Sequence, residues 1–328
     1  MTTTVTAIDF EALLDEEHLP VFRAIPARAI DPTDVAGTVA AIRAAGAART
    51  AAAPPVTIPP EIAIEDRKVP GPAGAPDVRV RLYRPAAART GGAALYWIHG
   101  GGMIAGSVEQ SDAYCARVAL ETGALVASVD YRLAPEHPYP APLEDCYAGL
   151  AWLAGAAGEL AIDASRIAIG GGSAGAGLAA GLALLARDRG GPAIGYQHLV
   201  YPMLDDRNVT RSSHAIVDTR VWCRDTNAVG WNAYLGGRAG AAGVEPYAAP
   251  ARATELAGLP PAYICVGTLD LFLDEDIAYA QALLAAGVPV ELHVYPGAFH
   301  GSVNTVPDSA LSRRWRDDES GALARVLA

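Results

Sequence analysis

The chain has 328 residues, of which 51% are hydrophobic and 19% are charged. These proportions are typical of a globular protein without long disordered stretches, and the length suits two domains or one large α/β domain with insertions. The 25 basic and 36 acidic residues give a net charge of −11, which argues against nucleic acid or an anionic membrane surface as the main partner, because like charges repel.

The N-terminal 50 residues are predicted to be helical, and Asp31-Pro32-Thr33-Asp34 is typical of a helix start. Residues 1–20 are acidic and lack the basic and apolar regions of a signal peptide. The longest uncharged run of small apolar residues, 174–186, is too short to span a bilayer. We therefore expect a cytoplasmic protein without membrane insertion, in which a Pro/Ala-rich linker at 51–60 follows the helical segment.

After the linker, short apolar runs alternate with helical patterns. Strands that alternate with helices indicate a mostly parallel sheet covered on both faces, and an antiparallel first pair of strands also fits. The predicted strands are 78–83, 94–98, 125–129, 167–169, 198–201, 262–266 and 290–295, and the predicted helices include 112–122, 142–154, 174–187 and 274–286.

One connection is long for this scheme. About 60 residues separate the strand that ends at Tyr201 from the next strand, and they include Trp222 and Trp231. A connection of this length in a compact domain is usually a lid or a binding insertion, although a peripheral helix pair with aromatic packing is an equal alternative.

The strongest motif is the glycine-rich run that contains Ser173. Gly171-Gly172-Ser173-Ala174-Gly175 follows a predicted strand, precedes a predicted helix and matches the GxSxG nucleophile elbow. The chain must turn sharply there, so the residues two before and two after the serine come too close for a Cβ. Such a turn places the serine hydroxyl above the sheet at a helix N-terminus, where backbone N–H groups can meet an oxyanion.

The same letters also satisfy a dinucleotide-binding fingerprint, Gly170-x-Gly172-x-x-Gly175. That motif requires an acidic residue at the end of the next strand, about 20 residues on, and it usually opens its domain. Asp188 lies at this distance but at the end of the helix, and two strands precede the glycines. The serine interpretation is therefore favoured over a nucleotide site or a purely structural turn.

A serine nucleophile needs a base and a group that orients the base. Asp270 follows the strand 262–266 and His300 follows the strand 290–295, which is the Ser-Asp-His order of α/β hydrolases. His293 lies within its strand and is the weaker candidate base. Asp274 is the alternative acid, but it is predicted to be a helix N-cap, with Glu275 and Asp276 interacting favourably with the helix dipole.

A second motif, His99-Gly100-Gly101-Gly102-Met103, directly follows the strand 94–98. A run of glycines there lets the backbone approach a reacting carbon and direct N–H groups inward. Together with the N–H of Ala174, these groups can form an oxyanion hole. His99 itself is expected to hold the loop rather than to take part in chemistry.

The chain resembles the hormone-sensitive-lipase-like α/β hydrolases, the bacterial family IV esterases, over about residues 60–328. The resemblance rests on HGGG, on the run 130–141 (DYRLAPEHPYPA), on GGSAG, and on Asp270 followed by Asp274-Glu275 and Phe-His300-Gly. It implies an α/β-hydrolase fold: a mostly parallel eight-stranded sheet with helices on both faces and a helical cap. It also implies that Asp270 is the catalytic acid and that Gly101 and Gly102 serve the oxyanion hole.

The resemblance further assigns residues 1–50 to an N-terminal helical cap segment and 51–328 to the catalytic domain, with a cap insertion at about 205–250. The expected substrate pocket consists of Met103, Tyr201, Trp222, Trp231 and Ser302. The sequence departs from the family pattern at Gly172, where Asp is usual, at Ala176, where Gly is usual, at Leu271, where Pro is usual, and at Ser302, where Phe is frequent. None of these changes removes a reacting atom.

The motifs predict a serine carboxylesterase that acts through an acyl-enzyme, and the resemblance implies short- to medium-chain esters. Amide or peptide hydrolysis, acyl transfer and a non-catalytic binding role of the same fold remain alternatives. The expected partner is a small-molecule ester, and because family members often form dimers, the resemblance also implies a homodimer. No cofactor is expected.

Other chemistries are disfavoured by particular residue types. Lys68 is the only lysine and no GxxxxGK[ST] loop occurs, which argues against phosphate-loop ATPases and pyridoxal-phosphate enzymes. No HExxH pattern occurs among the seven histidines, so no metal is expected. The four cysteines have no metal-ligand spacing and are expected to be free thiols in a reducing compartment.

Overall fold

A computed structural model describes residues 8–88 and 90–328. The strands are β1 (Ile62–Val69), β2 (Val78–Pro85), β3 (Gly92–Ile98), β4 (Leu125–Asp130), β5 (Ile162–Gly172), β6 (Tyr196–Val200), β7 (Ala262–Leu269) and β8 (Val290–Phe299). The helices are α1 (Phe10–Leu13), α2 (Leu19–Ala24), α3 (Val35–Ala52), α4 (Asp112–Thr122), α5 (Ala141–Gly155), α6 (Ala157–Leu160), α7 (Ala174–Arg189), α8 (Arg211–Ala215), α9 (Arg224–Leu235), α10 (Leu273–Ala285), α11 (Ser302–Thr305) and α12 (Ala310–Leu327).

The strands form one sheet in the order β1-β2-β4-β3-β5-β6-β7-β8. Strand β2 is antiparallel to both β1 and β4, and the other neighbours are parallel. The predicted mostly parallel sheet is therefore confirmed. Because β5, β6, β7 and β8 all run the same way, their C-terminal ends lie along one edge of the sheet, where ligands bind in open α/β folds.

Alternation along the strands explains why both faces are covered. In β3, Tyr96 and Ile98 belong to the core on one face, whereas Leu95 and Trp97 belong to the core on the other. Helices α5, α7 and α10 cover the first face, and α4 and α12 cover the second. A strand buried on both faces reads as a continuous apolar run, which is the pattern that the sequence shows here.

Strand β1 and helix α12 are two of the elements that were not predicted from the sequence. In β1 only the terminal residues Ile62 and Val69 are buried, because an edge strand that packs little needs no apolar face. In α12 the buried positions include Trp315 and Leu323 together with Glu319, so a charged residue interrupts the apolar stripe. Neither segment therefore carries the periodic pattern on which prediction depends.

The N-terminal segment forms three helices rather than a continuous one. The predicted helix start is confirmed at α3, where the Asp34 side chain caps the helix by accepting from the N–H of Gly37 at 2.9 Å. Residues 25–34 are not helical, so the helical prediction was wrong there. Residues 1–7 of the predicted cap segment lie outside the described residues. No helix in the described ranges is both long and apolar enough to cross a membrane.

Candidate active site

Ser173 stands at the turn between β5 and α7. Its backbone has φ 57° and ψ −122°, a strained conformation for a residue with a side chain. A Cβ at Gly171 would lie 2.4 Å from the carbonyl carbon of Gly175, and one at Gly175 would lie 2.0 Å from the carbonyl oxygen of Ile98. Only glycine fits both positions, and the resulting turn leaves the serine side chain at the end of the sheet.

Three side chains from separate loops form a continuous hydrogen-bonded chain at this turn. The Oγ atom of Ser173 lies 3.0 Å from Nε2 of His300, and Nδ1 of His300 lies 2.7 Å from Oδ2 of Asp270. The other carboxylate oxygen of Asp270 accepts from the N–H of Phe272 at 3.0 Å. Asp270 is fully buried, while the His300 side chain is 12% exposed. This spacing is that of a nucleophile, a base and an orienting acid.

The two alternative residues lie in other environments. Asp274 accepts a hydrogen bond from the N–H of Ser212 at 2.7 Å. The predicted N-cap role of Asp274 was wrong, because the cap position of α10 is Phe272 and Asp274 lies in the first turn. His293 lies on β8 with Nε2 2.9 Å from a carboxylate oxygen of Glu291.

Aromatic rings confine the imidazole of His300. The ring of Tyr201 meets it edge-on at a centroid distance of 4.7 Å, and Phe272 does so at 5.2 Å. The hydroxyl of Tyr201 accepts from the amide of Asn304 at 3.3 Å. Sequence reasoning missed Phe272 and Asn304, since an isolated aromatic or amide residue in a loop carries no distinguishing pattern.

The glycine loop after β3 lies directly against the serine turn. A Cβ at Gly100 would lie 2.7 Å from the carbonyl oxygen of Gly172. Gly101 and Gly102 have φ values of 117° and 65°, which favour glycine. Within the described ranges, no backbone carbonyl accepts from the N–H of Gly101, Gly102 or Ala174. The backbone around Ser173 therefore carries three N–H groups without a backbone acceptor in the described ranges.

His99 holds this loop, as predicted. Its ring stacks on Tyr131 at 4.2 Å, its Nδ1 lies 2.9 Å from the carbonyl oxygen of Gly100, and the hydroxyl of Tyr131 donates to the carbonyl of His99. Burial lowers the pKa of His99, so the ring is neutral near pH 7 and interacts by packing and hydrogen bonding.

The expected pocket residues lie in different positions. Tyr201 contacts His300, and the half-buried Trp222 lies with its ring centroid 6.4 Å from that of His300. Met103 directly follows the glycine loop in the sequence, and Ser302 lies two residues after His300. Both side chains are almost fully buried. Trp231 lies on α9 and is fully buried in the core, with its ring centroid 6.1 Å from that of Tyr234.

The departure at Gly172 leaves room beside Tyr201. A Cβ at Gly172 would lie 3.7 Å from the Tyr201 ring, which is ordinary van der Waals distance. The glycine is therefore not required by crowding, in contrast to Gly171 and Gly175. Its effect is local: the ring of Tyr201 faces bare backbone where the family usually has a carboxylate.

Glu275 and Asp276 lie in the first turn of α10, where a carboxylate can interact with the helix dipole, and both side chains are buried. An oxygen of Glu275 accepts from the N–H groups of Leu204 and Asp205, at 2.8 and 3.2 Å, which anchors the segment after β6 to α10. Burial raises the pKa of both carboxyl groups. The sequence shows only an acidic helix start, which does not distinguish a buried anchor from a solvated one.

No group of three or more potential metal ligands is found in the described part of the chain. A cavity of about 410 Å³ lies at the far end of the sheet, lined by residues such as Pro60, Arg84, Gly92, Leu125 and Ile162. It is formed by the N-terminal ends of β3 and β5, opposite the edge that carries Ser173. Ser173, Asp270 and His300 are not among the residues that line this cavity.

Comparison with known proteins follows this geometry. A family model for the alpha/beta hydrolase fold matches residues 95–304. The esterase LipI of Mycobacterium tuberculosis is 38% identical over 251 residues, covering 74% of this chain and 76% of that protein. The carboxylesterase NlhH of the same organism is 39% identical over 256 residues, covering 76% and 78%.

Solved structures agree over nearly the whole chain. A bacterial heroin esterase superposes with a TM-score of 0.88 at 42% identity and covers 97% of this chain and 99% of its own. The esterase LipW of Mycobacterium marinum superposes with a TM-score of 0.82 at 38% identity and covers 99% of both chains. These matches confirm the resemblance to hormone-sensitive-lipase-like esterases, and the chain belongs to the α/β hydrolase fold family.

Proposed function

We propose that the protein is a serine carboxylesterase that hydrolyses short- to medium-chain carboxylic esters through an acyl-enzyme on Ser173. One observation carries the proposal: the continuous chain from Ser173 through His300 to the buried Asp270, with distances of 3.0 and 2.7 Å. Relatives named esterase or carboxylesterase support ester hydrolysis as the reaction.

In the first half of the reaction, Ser173 attacks the ester carbonyl while His300 Nε2 accepts the hydroxyl proton. Asp270 accepts the Nδ1–H hydrogen bond of His300, which selects the tautomer with a free Nε2 and stabilises the imidazolium that forms. Because Asp270 is fully buried, this interaction is little screened by solvent. His300 then gives its proton to the leaving alkoxide, and the acyl group stays on Ser173.

In the second half, water attacks the acyl-enzyme and gives a proton to His300. The acid product leaves and the Ser173 hydroxyl is restored, so the cycle consumes one ester and one water. Both tetrahedral intermediates carry an oxyanion that the N–H groups of Gly101, Gly102 and Ala174 can bind. Each such donor contributes about 3–4 kcal/mol to transition-state stabilisation in enzymes of this kind.

We further propose that the N-terminal helices and the insertion at about 205–250 act together as a cap. The guanidinium of Arg43 on α3 donates to the carbonyls of Ile104 and Ala134, next to the glycine loop. Helix α9 of the insertion packs against α3. A cap so placed shields Ser173, which is only 7% exposed, and we expect this restricted access to favour short acyl chains.

The test is hydrolysis of p-nitrophenyl esters from acetate to palmitate by the protein and by Ser173→Ala, His300→Ala and His293→Ala. We expect activity that peaks at short acyl chains and is abolished in Ser173→Ala and His300→Ala. Activity should be retained in His293→Ala, because the ring of His293 is hydrogen-bonded to Glu291. Circular dichroism would show that all variants are folded. Undiminished hydrolysis by Ser173→Ala would contradict the proposal.

A further inference from the structure

Trp222 occupies a slot between the oxyanion loop and α9. A Cβ at Gly102 would lie 2.2 Å from Cη2 of the indole, and one at Gly230 would lie 3.3 Å from Cζ2. Glycine at both positions therefore makes the room that the six-membered ring occupies. The ring centroid is also 6.4 Å from that of His300, so the indole borders the space above Ser173.

The indole is held at its polar end. Its Nε1–H donates to Oδ1 of Asn227 at 3.1 Å, and the amide of Asn227 donates in turn to Oδ1 of Asn208 at 3.2 Å. Asn227 is fully buried. The hydrogen bond to the buried Asn227 defines the orientation of the Trp222 indole. The six-membered ring therefore points away from Asn227 and toward Gly102.

The chain just before Trp222 is hydrogen-bonded to the N-terminal segment. Arg28 donates through Nε to the carbonyl of Thr219 at 2.9 Å and through Nη2 to the carbonyl of Val221. Arg220 lies between these two acceptors, with its guanidinium 4.0 Å above the ring of Phe22 on α2. The backbone position of Trp222 thus depends on residues almost 200 positions earlier in the sequence.

We infer that Trp222 sets the upper limit on the acyl group that the site accepts, and that Arg28 is a positioning residue that keeps the indole in place. The inference rests on the proposed esterase function. Beyond that function, it identifies Trp222 as the side chain that limits the size of the acyl group, and the N-terminal segment that contains Arg28 as the part of the chain that positions Trp222.

The direction of the two ester halves explains why the acyl half is affected. The leaving oxygen must reach Nε2 of His300, so the alcohol half lies on the His300 side of Ser173. The carbonyl oxygen points at the N–H groups of the oxyanion glycines, and the acyl half leaves the carbonyl carbon on the side away from His300. The indole lies against Gly102, with its ring centroid 6.4 Å from that of His300, and we assign it to the acyl side.

The experiment compares kcat/KM for p-nitrophenyl octanoate with that for p-nitrophenyl acetate. In Trp222→Ala the octanoate-to-acetate ratio should rise by about tenfold or more, since the extra methylenes of octanoate can then bind in the space that the indole occupied. Trp222→Phe, which keeps a smaller ring and is the safer variant for folding, should give an intermediate ratio. Arg28→Met, which keeps the aliphatic stem, should raise the ratio in the same direction by about threefold, as a partial population shift of the indole.

Arg23→Met is the matched control. Arg23 lies on α2 of the same N-terminal segment and pairs with Glu11, and in the variant Glu11 keeps its second partner Arg220, so the chain before Trp222 retains its contacts. Its ratio should equal that of the unmodified protein. A general loosening of the N-terminal segment would shift Arg23→Met as well, and that result would contradict a specific role for Arg28.

The outcomes separate the inference from the function on which it rests. If Ser173→Ala abolishes hydrolysis but both Trp222 variants keep the original ratio, Trp222 does not limit the acyl group and this inference fails alone. If Trp222→Ala changes only the preference among acetate esters of different alcohols, the acyl assignment is overturned. If Arg28→Met leaves the octanoate-to-acetate ratio unchanged, Arg28 does not position the indole and that part of the inference is overturned. Hydrolysis that survives Ser173→Ala would instead overturn the proposed function.

Discussion

Nε2 of His300 lies 3.0 Å from Oγ of Ser173, although 127 residues separate them in the sequence. Ser173 follows β5 and His300 follows β8, and both strands end at the same edge of the sheet. Parallel strand order therefore brings the nucleophile and its base together without any local sequence relationship. The geometry makes several quantitative expectations testable.

The buried acid should matter far more than its neighbour in the sequence. Asp270→Asn should lower kcat by about 10⁴-fold, because the amide favours the wrong tautomer of the histidine. Asp274→Asn is the control: an amide oxygen still accepts from the N–H of Ser212, so activity should remain. Steady-state kinetics on p-nitrophenyl acetate would decide between them. Equal loss in both variants would contradict the assignment of Asp270.

A methyl group at Gly102 should damage the oxyanion loop. Gly102→Ala places a Cβ against the Trp222 ring at a backbone φ of 65°, so the N–H should move away from its position. We expect kcat to fall by about 10²-fold, as for loss of one oxyanion donor. Gly74→Ala is the control, since Gly74 has a φ of 80° but no atom near its Cβ position.

The Gly74 comparison separates backbone strain from damage to the site. Both variants should lose some stability in thermal unfolding, because alanine disfavours positive φ. Only Gly102→Ala should also lose turnover. Similar activity in the two variants would argue against an oxyanion role for Gly102.

Glu319 should make stability depend on pH. It is a buried residue of α12, it accepts from the indole N–H of Trp315 at 2.7 Å, and burial raises its pKa to about 7. Because the folded-state pKa exceeds the unfolded value, the folded protein binds the proton more tightly. The contribution of this group to stability is full below about pH 4.5 and is lost as pH rises through about 7.

Glu319→Gln isolates that contribution, since glutamine keeps an acceptor for Trp315 without titrating. The free energy of unfolding of the unmodified protein should fall relative to the variant between about pH 4.5 and 7, by up to about 3 kcal/mol. Urea unfolding at a series of pH values would measure it. Parallel curves for the two proteins would mean that Glu319 does not titrate in this range.

The ion pair between Arg132 and Asp145 should contribute to the fold. Asp145 is 1% exposed and accepts from Nε, Nη2 and the backbone N–H of Arg132 at 2.7–3.0 Å. Removing the arginine leaves the buried carboxylate of Asp145 unpaired, so Arg132→Met should cost about 3 kcal/mol. Glu65→Ala, which removes an exposed pair with Arg67, should cost no more than about 1 kcal/mol. Chemical denaturation would show whether the two costs differ.

The comparison of sequence and structure is clearest at individual residues. Ser173, Asp270 and His300 were predicted because glycine spacing and position after a strand are local properties that survive in the sequence. The N-cap role predicted for Asp274 was wrong and the burial of Glu275 was not foreseen, because a cap, a first-turn carboxylate and a buried anchor share the same letters. Trp222 and Trp231 were predicted together as pocket residues; the Trp222 ring centroid lies 6.4 Å from that of His300, whereas Trp231 is fully buried.

The sequence by itself determined the alternation of strands and helices, the sharp turn at Ser173 and the glycine loop after β3. Each of these depends on residues within a few positions of one another, through periodicity or through the absence of a Cβ. Only the tertiary structure decided which side chains surround the imidazole and how Arg28 reaches the segment before Trp222. Those contacts join distant parts of the chain, and close packing in three dimensions selects them from many residues with equivalent local patterns.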